Sequence, residues 1–438
     1  MDLLITGGKL VTMNAKREVF NGDILVTDGR IAKIGAKLKA PRGAKTIDAE
    51  GAAVVPGLIQ THVHVCQTMF RCMADDMTLL EWLRKRIWPF EGAHDANSLR
   101  ASAEVGVAEL LRGGTTTILD MGTVRNQDVV FEVFAESGIR GIGGKAMMDV
   151  PKGLPKGLQE GMRESLEESA RLARTWHGAK DGRIKYAYCP RFALSCSEHL
   201  MREVAVRARE GGMLIHSHAA ENRDEVMEVK VRTGMTNLSY LNSMGLTGNM
   251  VCLAHCVHID ENEMILIRET DTRVVHCPTS NLKLASGYAP VPELLSHGVS
   301  VSIGSDGAAC NNTLDQWAEM RLAAIMHKPR CGADVMKPVT VFEMATIGGA
   351  KALGMDHEIG SLDVGKFADI AIVSWDEPHC GPGGDVYSRL VYATNASDVA
   401  TVLVQGEVVM QNRKLTKLDE KRARARAEEE LKKLQKRV

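Results

Sequence analysis

The chain carries fourteen histidines, and several stand at the ends of short apolar segments. His62 and His64 lie in PGLIQTHVHV. Residues two apart on a strand share a face, so both imidazoles can reach one ion. His218 ends MLIHSH, with His216 two residues before it; His255 ends VCLAHC, His276 lies in VVHCP, and Asp306 lies in SIGSDGAACNN. A single strand histidine is ordinarily a hydrogen-bonded core or rim residue. Several imidazoles and a carboxylate gathered in one place are different, because burying them together is costly without a cation to organise them. Such a nitrogen-rich set suits Zn²⁺ or Fe²⁺ and not Ca²⁺ or Mg²⁺. Glu221, in HSHAAEN just beyond His218, adds a carboxylate able to pass a proton from water to a substrate. Taken alone, that residue would be an acid stabilised by a helix N-terminus.

These residues converge only if the elements carrying them share one end. From Pro56 onward, short strands (LIQTHVHV, TTTILDMG, GIGGKAMM, IKYAYCP, MLIHSHA, MVCLAHC, RVVHCP, VSIGSDG) alternate with amphipathic helical stretches. LRASAEVGVAELLRGG and SEHLMREVAVRAREGG are two such stretches, each ending in a Gly-Gly helix stop. Eight strand–helix units predict an α/β fold of the (β/α)8 TIM-barrel type, whose C-terminal strand ends meet at one mouth. The first fifty-odd residues and the segment after about residue 358 read as β, and the two ends are expected to meet in one small β-sandwich. The expected division is 1–56 with 359–416 as β-sandwich, 57–358 as metal-dependent barrel, and 417–438 as a C-terminal helix. That last segment, LDEKRARARAEEELKKLQKRV, is strongly charged with few apolar anchors and predicts a solvated surface helix.

Composition narrows the function classes. The sequence has 438 residues and a formal net charge of −1, so nothing in its charge draws it to nucleic acid or to an anionic membrane. There is no basic arm, no secretory signal pattern at the N-terminus and no apolar run long enough to span a bilayer. Ten cysteines are scattered without a C-x-x-C pair, as expected of reduced, buried residues in a cytoplasmic protein.

QTHVHV, HSHAAEN, LAHC, HCPTSNLKLASG and GSDGAACNN, in this order and spacing, resemble the amidohydrolase superfamily. More narrowly, they resemble the branch of S-adenosylhomocysteine, 5′-methylthioadenosine and 5′-deoxyadenosine deaminases, guanine deaminases and s-triazine hydrolases. The resemblance covers nearly the whole chain, including PGLIQTH at the barrel entry and the GSLDVGKFADIAIV return. It implies His62, His64, His218 and Asp306 as ligands of one Zn²⁺ per subunit, with Fe²⁺ as the alternative. It implies Glu221 as proton shuttle, His255 as the residue orienting the attacking water, and Asp306 as its partner in catalysis. The segment YAYCPRF has no lysine where other branches carry a bridging carboxylated one, which agrees with a single ion. The implied reaction is hydrolytic attack on an electron-poor ring carbon with expulsion of ammonia; the same machinery would expel an alkylamine or chloride. The superfamily also implies a homo-oligomer.

The heterocycle is less sharply drawn. CPRFALSCSEHL resembles the guanine deaminases, in which the Arg of PRF contacts the purine, and Arg191 holds that place. DDMTLLEWLRKRIWPFE resembles the segment where S-adenosylhomocysteine deaminases place an acid on the ribose; Glu91 matches that acid, with Trp88 beside it as a further candidate contact. Lys145 falls where those enzymes offer a basic group to the substrate carboxylate. The expected substrate is an adenosine derivative, ahead of guanine and then an s-triazine. A barrel that has become a non-catalytic scaffold is the reading from another class, and the complete set of ligands and Glu221 argues against it.

Overall fold

The computed structural model describes residues 2–438. Eight parallel strand positions form the barrel: Leu58–His64, Thr115–Met121, Arg140–Gly144 continued by Ala146–Met147, Ile184–Pro190, Leu214–Ala219, Val251–His255, Arg273–His276 and Val301–Ile303 continued by Asp306–Gly307. Most of these residues are buried, as expected of strands covered by helices outside and side chains within. The eighth strand is broken. Val301–Ile303 pairs with the seventh strand, whereas Asp306–Gly307 pairs with the first, Asp306 opposite Val63. The break closes the ring and lifts Asp306 to the mouth. Gly304 makes this possible: a Cβ there would sit 2.6 Å from the His62 carbonyl oxygen.

Helices between the strands begin at side-chain caps that occupy their free N–H groups, as at Asp95, Ser197 and Asp260. The chain ends build one further sheet. Its centre is the antiparallel pair Ala52–Pro56 and Ile370–Ser374, with Leu3–Val11, Val19–Thr27 and Arg30–Gly35 on one side and Val399–Val404, Glu407–Gln411 and Lys414–Leu415 on the other. Arg140 of the barrel and Asp369 of the end sheet form a buried ion pair at 2.9 Å across the junction.

One expectation requires correction. The C-terminal helix, Glu420–Gln435, is not simply solvated: Ala423, Glu430 and Leu434 are buried, and the helix packs along Ala96–Arg112. Arg426–Glu104 at 2.7 Å, Arg112–Glu420 at 2.9 Å and Arg437–Asp95 at 3.0 Å tie it down. Its few apolar anchors suffice because the charges are matched on the helix beneath. All ten cysteines are free, and eight of them are buried. Among the described residues, no helix is long and apolar enough to cross a membrane.

Candidate metal centre

His62 and His64 leave the first strand on one face, His218 leaves the fifth, and Asp306 rises from the broken eighth. One side-chain ligand atom from each lies within 4.8 Å of the other three. The proton positions follow from their supports. His64 Nδ1 lies 2.7 Å from the Met121 carbonyl oxygen and His218 Nδ1 lies 2.7 Å from that of Arg191. A carbonyl only accepts, so each Nδ1 carries the proton and each Nε2 is a bare lone pair. His216 Nδ1 donates to the Cys252 carbonyl oxygen at 3.0 Å, so its Nε2 accepts from His62 Nδ1 at 2.7 Å. His62 Nε2 is then also a lone pair, buried and without a partner.

The resulting geometry is repulsive on its own. His64 Nε2 and His218 Nε2 face each other at 3.2 Å with no proton between them. Asp306 Oδ1 lies 3.3 Å from His62 Nε2 and 3.4 Å from His64 Nε2. Burial pulls the histidines further from protonation, His62 to about 4 and His64 to about 3. Burial works against an ionised Asp306, and the Gly307 backbone N–H at 2.8 Å and the Ser280 hydroxyl at 2.6 Å favour its carboxylate. Three neutral imidazoles and one carboxylate, all aimed at one point, fit a divalent ion of the zinc type, and each first partner is itself held by a second group.

Two further candidate residues, His255 and Glu221, stand beside this cluster. His255 Nδ1 bonds Asn281 Oδ1 at 2.8 Å, leaving Nε2 buried, 3.4 Å from Glu221 Oε2 and 3.9 Å from Asp306 Oδ2. Ser280 donates to Asp306 Oδ2 at 2.6 Å. Burial, followed by the charges of Asp306 and Glu225, raises Glu221 well above the ordinary carboxyl range, so it is an acid with a proton to give. Strain marks the same place: His255 has φ 75° and Asp306 φ 62°, left-handed conformations that cost about 1–3 kcal/mol each and turn the side chains across the mouth.

Around the cluster, a cleft of about 30 Å³ is lined by Gln67, Leu79, Trp82, Leu83, Arg191 and Phe192. Phe192 also walls an adjoining groove of about 290 Å³ that runs past Trp88, Leu154 and Leu194. Arg191 thus faces the cleft, while Trp88 belongs to the groove. Glu91 is buried behind Arg191, bonded to its guanidinium at 2.6 Å and to Gln67 Nε2 at 2.8 Å. Lys145 is not brought to the cleft. Its ammonium is buried against both Glu160 oxygens, at 2.7 and 2.8 Å, in a closed pair with no group to spare for a substrate carboxylate. His276 stands apart from the ligand set and packs beside His327, with ring centroids 5.8 Å apart. Sequence reasoning passed over Gln67, Trp82, Ser280 and Asn281. The last two are visible in HCPTSN as the polar residues following His276, but their roles depend on which loops meet.

Comparison with known proteins bears on the reaction. Residues 53–409 match the amidohydrolase family. The chain is 37% identical to a 5′-deoxyadenosine deaminase of Methanosarcina mazei, over 96% of this chain and 95% of that one. It is 39% identical to a 5-methylthioadenosine/S-adenosylhomocysteine deaminase of Haloarcula marismortui, over 98% and 97%. Among solved structures, an adenosine deaminase from Xanthomonas campestris with bound zinc superposes with TM-score 0.93 at 31% identity, covering 99% of both chains. The E. coli guanine deaminase gives TM-score 0.85 at 29% identity, over 94% of this chain and 99% of that one. With barrel, end sheet and ligand cluster in agreement with the sequence match, the chain belongs to the amidohydrolase family.

Proposed function

We propose that the protein hydrolytically deaminates an adenine nucleoside modified at the 5′ position, of the 5′-deoxyadenosine, 5′-methylthioadenosine or S-adenosylhomocysteine type, with release of ammonia. What supports this reading is the position of Glu221, whose carboxyl burial pushes toward its neutral form, 3.4 Å from His255 Nε2 and beside four side chains that could hold a metal ion. The named activities of relatives that align over nearly the whole chain supply the substrate class.

His62, His64, His218 and Asp306 would hold one ion, with Zn²⁺ favoured and Fe²⁺ compatible with the same donors. When bound, that ion supplies the Lewis acidity that makes water a nucleophile at neutral pH. Glu221 gives its proton to the ring nitrogen beside the carbon under attack, which makes that carbon more electrophilic. His255 Nε2 and Asp306 Oδ2, 3.9 Å apart, hold and deprotonate the incoming water. The proton taken from water passes to the departing amine, and the hydroxyl proton left on the tetrahedral carbon returns to Glu221 as C=O forms and the C–N bond breaks, so substrate and water become the oxo product and ammonia. Leu79, Trp82, Leu83 and Phe192 keep other water out of the cleft.

Arg191 favours a second reading. Its guanidinium lines the cleft, whereas Glu91 lies behind it, an arrangement that offers donors to a ring carbonyl such as that of guanine. Ammonia release by the zinc-loaded enzyme from 5′-deoxyadenosine, 5′-methylthioadenosine, S-adenosylhomocysteine, adenosine, guanine and melamine separates the two. Fast release from an adenosine derivative is expected; release from guanine or melamine alone would replace the nucleoside reading.

A further inference from the structure

A second group of metal-type side chains lies on the end sheet, outside the barrel. His379, Cys380 and Asp398 each bring one ligand atom to within 4.8 Å of the other two. One strand pair gathers them. Ile370–Ser374 and Val399–Val404 run antiparallel with Val373 opposite Val399, so the chain leaving the first strand passes the turn that enters the second. His379 and Cys380 lie on the helical turn Pro378–Cys380 after the first strand, and Asp398 ends the turn Ala396–Asp398 before the second.

The three donors are differently prepared. Asp398 is 5% exposed; its Oδ2 accepts the Asn395 backbone N–H at 2.8 Å and lies 2.8 Å from His379 Nε2, while its Oδ1 lies 3.4 Å from the Ser397 hydroxyl. The Cys380 sulfur is buried, 4.0 Å from the same Oδ2. The His379 side chain is 40% exposed and opens the group to solvent. Its Nδ1 has no hydrogen-bond partner among the described residues, so the ring proton can reside there and free Nε2. Burial, then the charge of Asp398, raises the Cys380 thiol; Glu377 and Asp376 push the same way and Arg389 opposes them. The thiol is therefore neutral by itself, in surroundings where acids outnumber bases, and a bound cation would draw off its proton.

We propose that His379 Nε2, Cys380 Sγ and Asp398 Oδ2 form a second site, for one divalent ion of the zinc class, separate from the cluster at the barrel mouth. Imidazole, thiolate and carboxylate are all zinc donors, whereas a thiolate does not suit Ca²⁺ or Mg²⁺. Ligand atoms on a tetrahedral zinc stand roughly 3.3–3.6 Å apart. The 2.8 and 4.0 Å separations bracket that spacing, so small side-chain shifts suffice. On binding, the thiol releases its proton to solvent and the imidazole proton moves from Nε2 to Nδ1. Thiolate and carboxylate then cancel the charge of the ion, and water fills the fourth position. The ion fastens the loop after Ile370–Ser374 to the start of Val399–Val404, a structural role with no part in hydrolysis.

Cobalt titration of the full chain, its barrel site first filled with zinc, tests this. A second ion per chain is expected, with the near-ultraviolet absorption of a thiolate–cobalt bond. Cys380→Ser should abolish that absorption, and His379→Ala, at a solvent-facing position, should weaken cobalt binding at least about tenfold. Both variants should keep the barrel zinc and the rate of ammonia release. One ion per chain in excess cobalt overturns the proposal, as does cobalt binding unchanged in His379→Ala. So does a thiolate–cobalt absorption that survives Cys380→Ser; it would belong to Cys277, whose sulfur lies within 4.8 Å of ligand atoms of His62 and His255.

Discussion

At the residue scale, the cluster of His62, His64, His218 and Asp306 is a matter of protons. Each of His62, His64 and His218 presents Nε2 because its Nδ1 proton is taken up by a fixed acceptor, and for His62 that acceptor is another histidine. His216 therefore decides the tautomer of His62 from outside the cluster. Replacing it by alanine is expected to weaken zinc binding about 10–100-fold while leaving the fold intact, measurable by competition with a chromophoric chelator. Glu221 should behave in the opposite way. Glu221→Gln keeps the size and one hydrogen-bonding oxygen but cannot cycle a proton, so metal content should stay at one per subunit while kcat falls about 10²–10⁴-fold. His218→Ala should lose both metal and turnover. Near-normal turnover in Glu221→Gln would remove the proton-carrier role.

At the scale of elements, the barrel gathers these residues through deviations from regular strands. The eighth strand breaks at Gly304 and Ser305, and its continuation crosses to pair with the first strand, setting Asp306 next to His62. A polar group in the second strand answers the same architecture. Asp120 Oδ1 accepts the Val65 backbone N–H at 2.9 Å, steadying the turn after His64, while Oδ2 is buried without a partner. Burial raises its pKa to about 7. Its folded value lies above the ordinary unfolded value of about 3.9, so the folded state prefers the neutral form. The resulting stability penalty is absent below about pH 4, grows as pH rises and levels off above about 7, where it amounts to about 4 kcal/mol as an upper figure. Asp120→Asn retains the acceptor and removes the ionisation. Thermal melts should therefore show the variant gaining on the wild type as pH is raised from about 5 to 8. A difference that does not change with pH would count against a neutral Asp120.

At the scale of the whole molecule, two sheets share one chain, and the junction between them is polar as well as apolar. Arg140 lies on the third barrel strand, and Asp369 just precedes the end-sheet strand Ile370–Ser374. Both side chains are almost fully buried, and Asp369 also accepts the Gln405 backbone N–H at 2.6 Å. Removing one partner leaves a buried charge alone. Arg140→Ala is accordingly expected to cost about 3–5 kcal/mol in denaturant unfolding, with little change in KM at a temperature where it remains folded, since the pair lies far from the mouth in its contacts. Loss of activity without loss of stability would contradict a purely architectural role for this pair.

What the sequence determined by itself was the chemistry and the order of the parts. Strand periodicity around His62, His64 and His218, and the alternation of strands with helices, follow from local side-chain direction and burial, and both are written in nearest-neighbour spacing. Tertiary structure decided the rest because it brings together residues hundreds of positions apart. It set His216 behind His62, Ser280 on Asp306 and Asn281 on His255, and it left His276 outside the cluster although its sequence setting matches that of the clustered histidines. It also closed Lys145 onto Glu160 and Glu91 onto Arg191, since a buried charge takes the nearest opposite charge, whichever segment supplies it. The charged C-terminal helix is docked for the same reason: its matching charges lie on a helix more than three hundred residues earlier, beyond the reach of any local pattern.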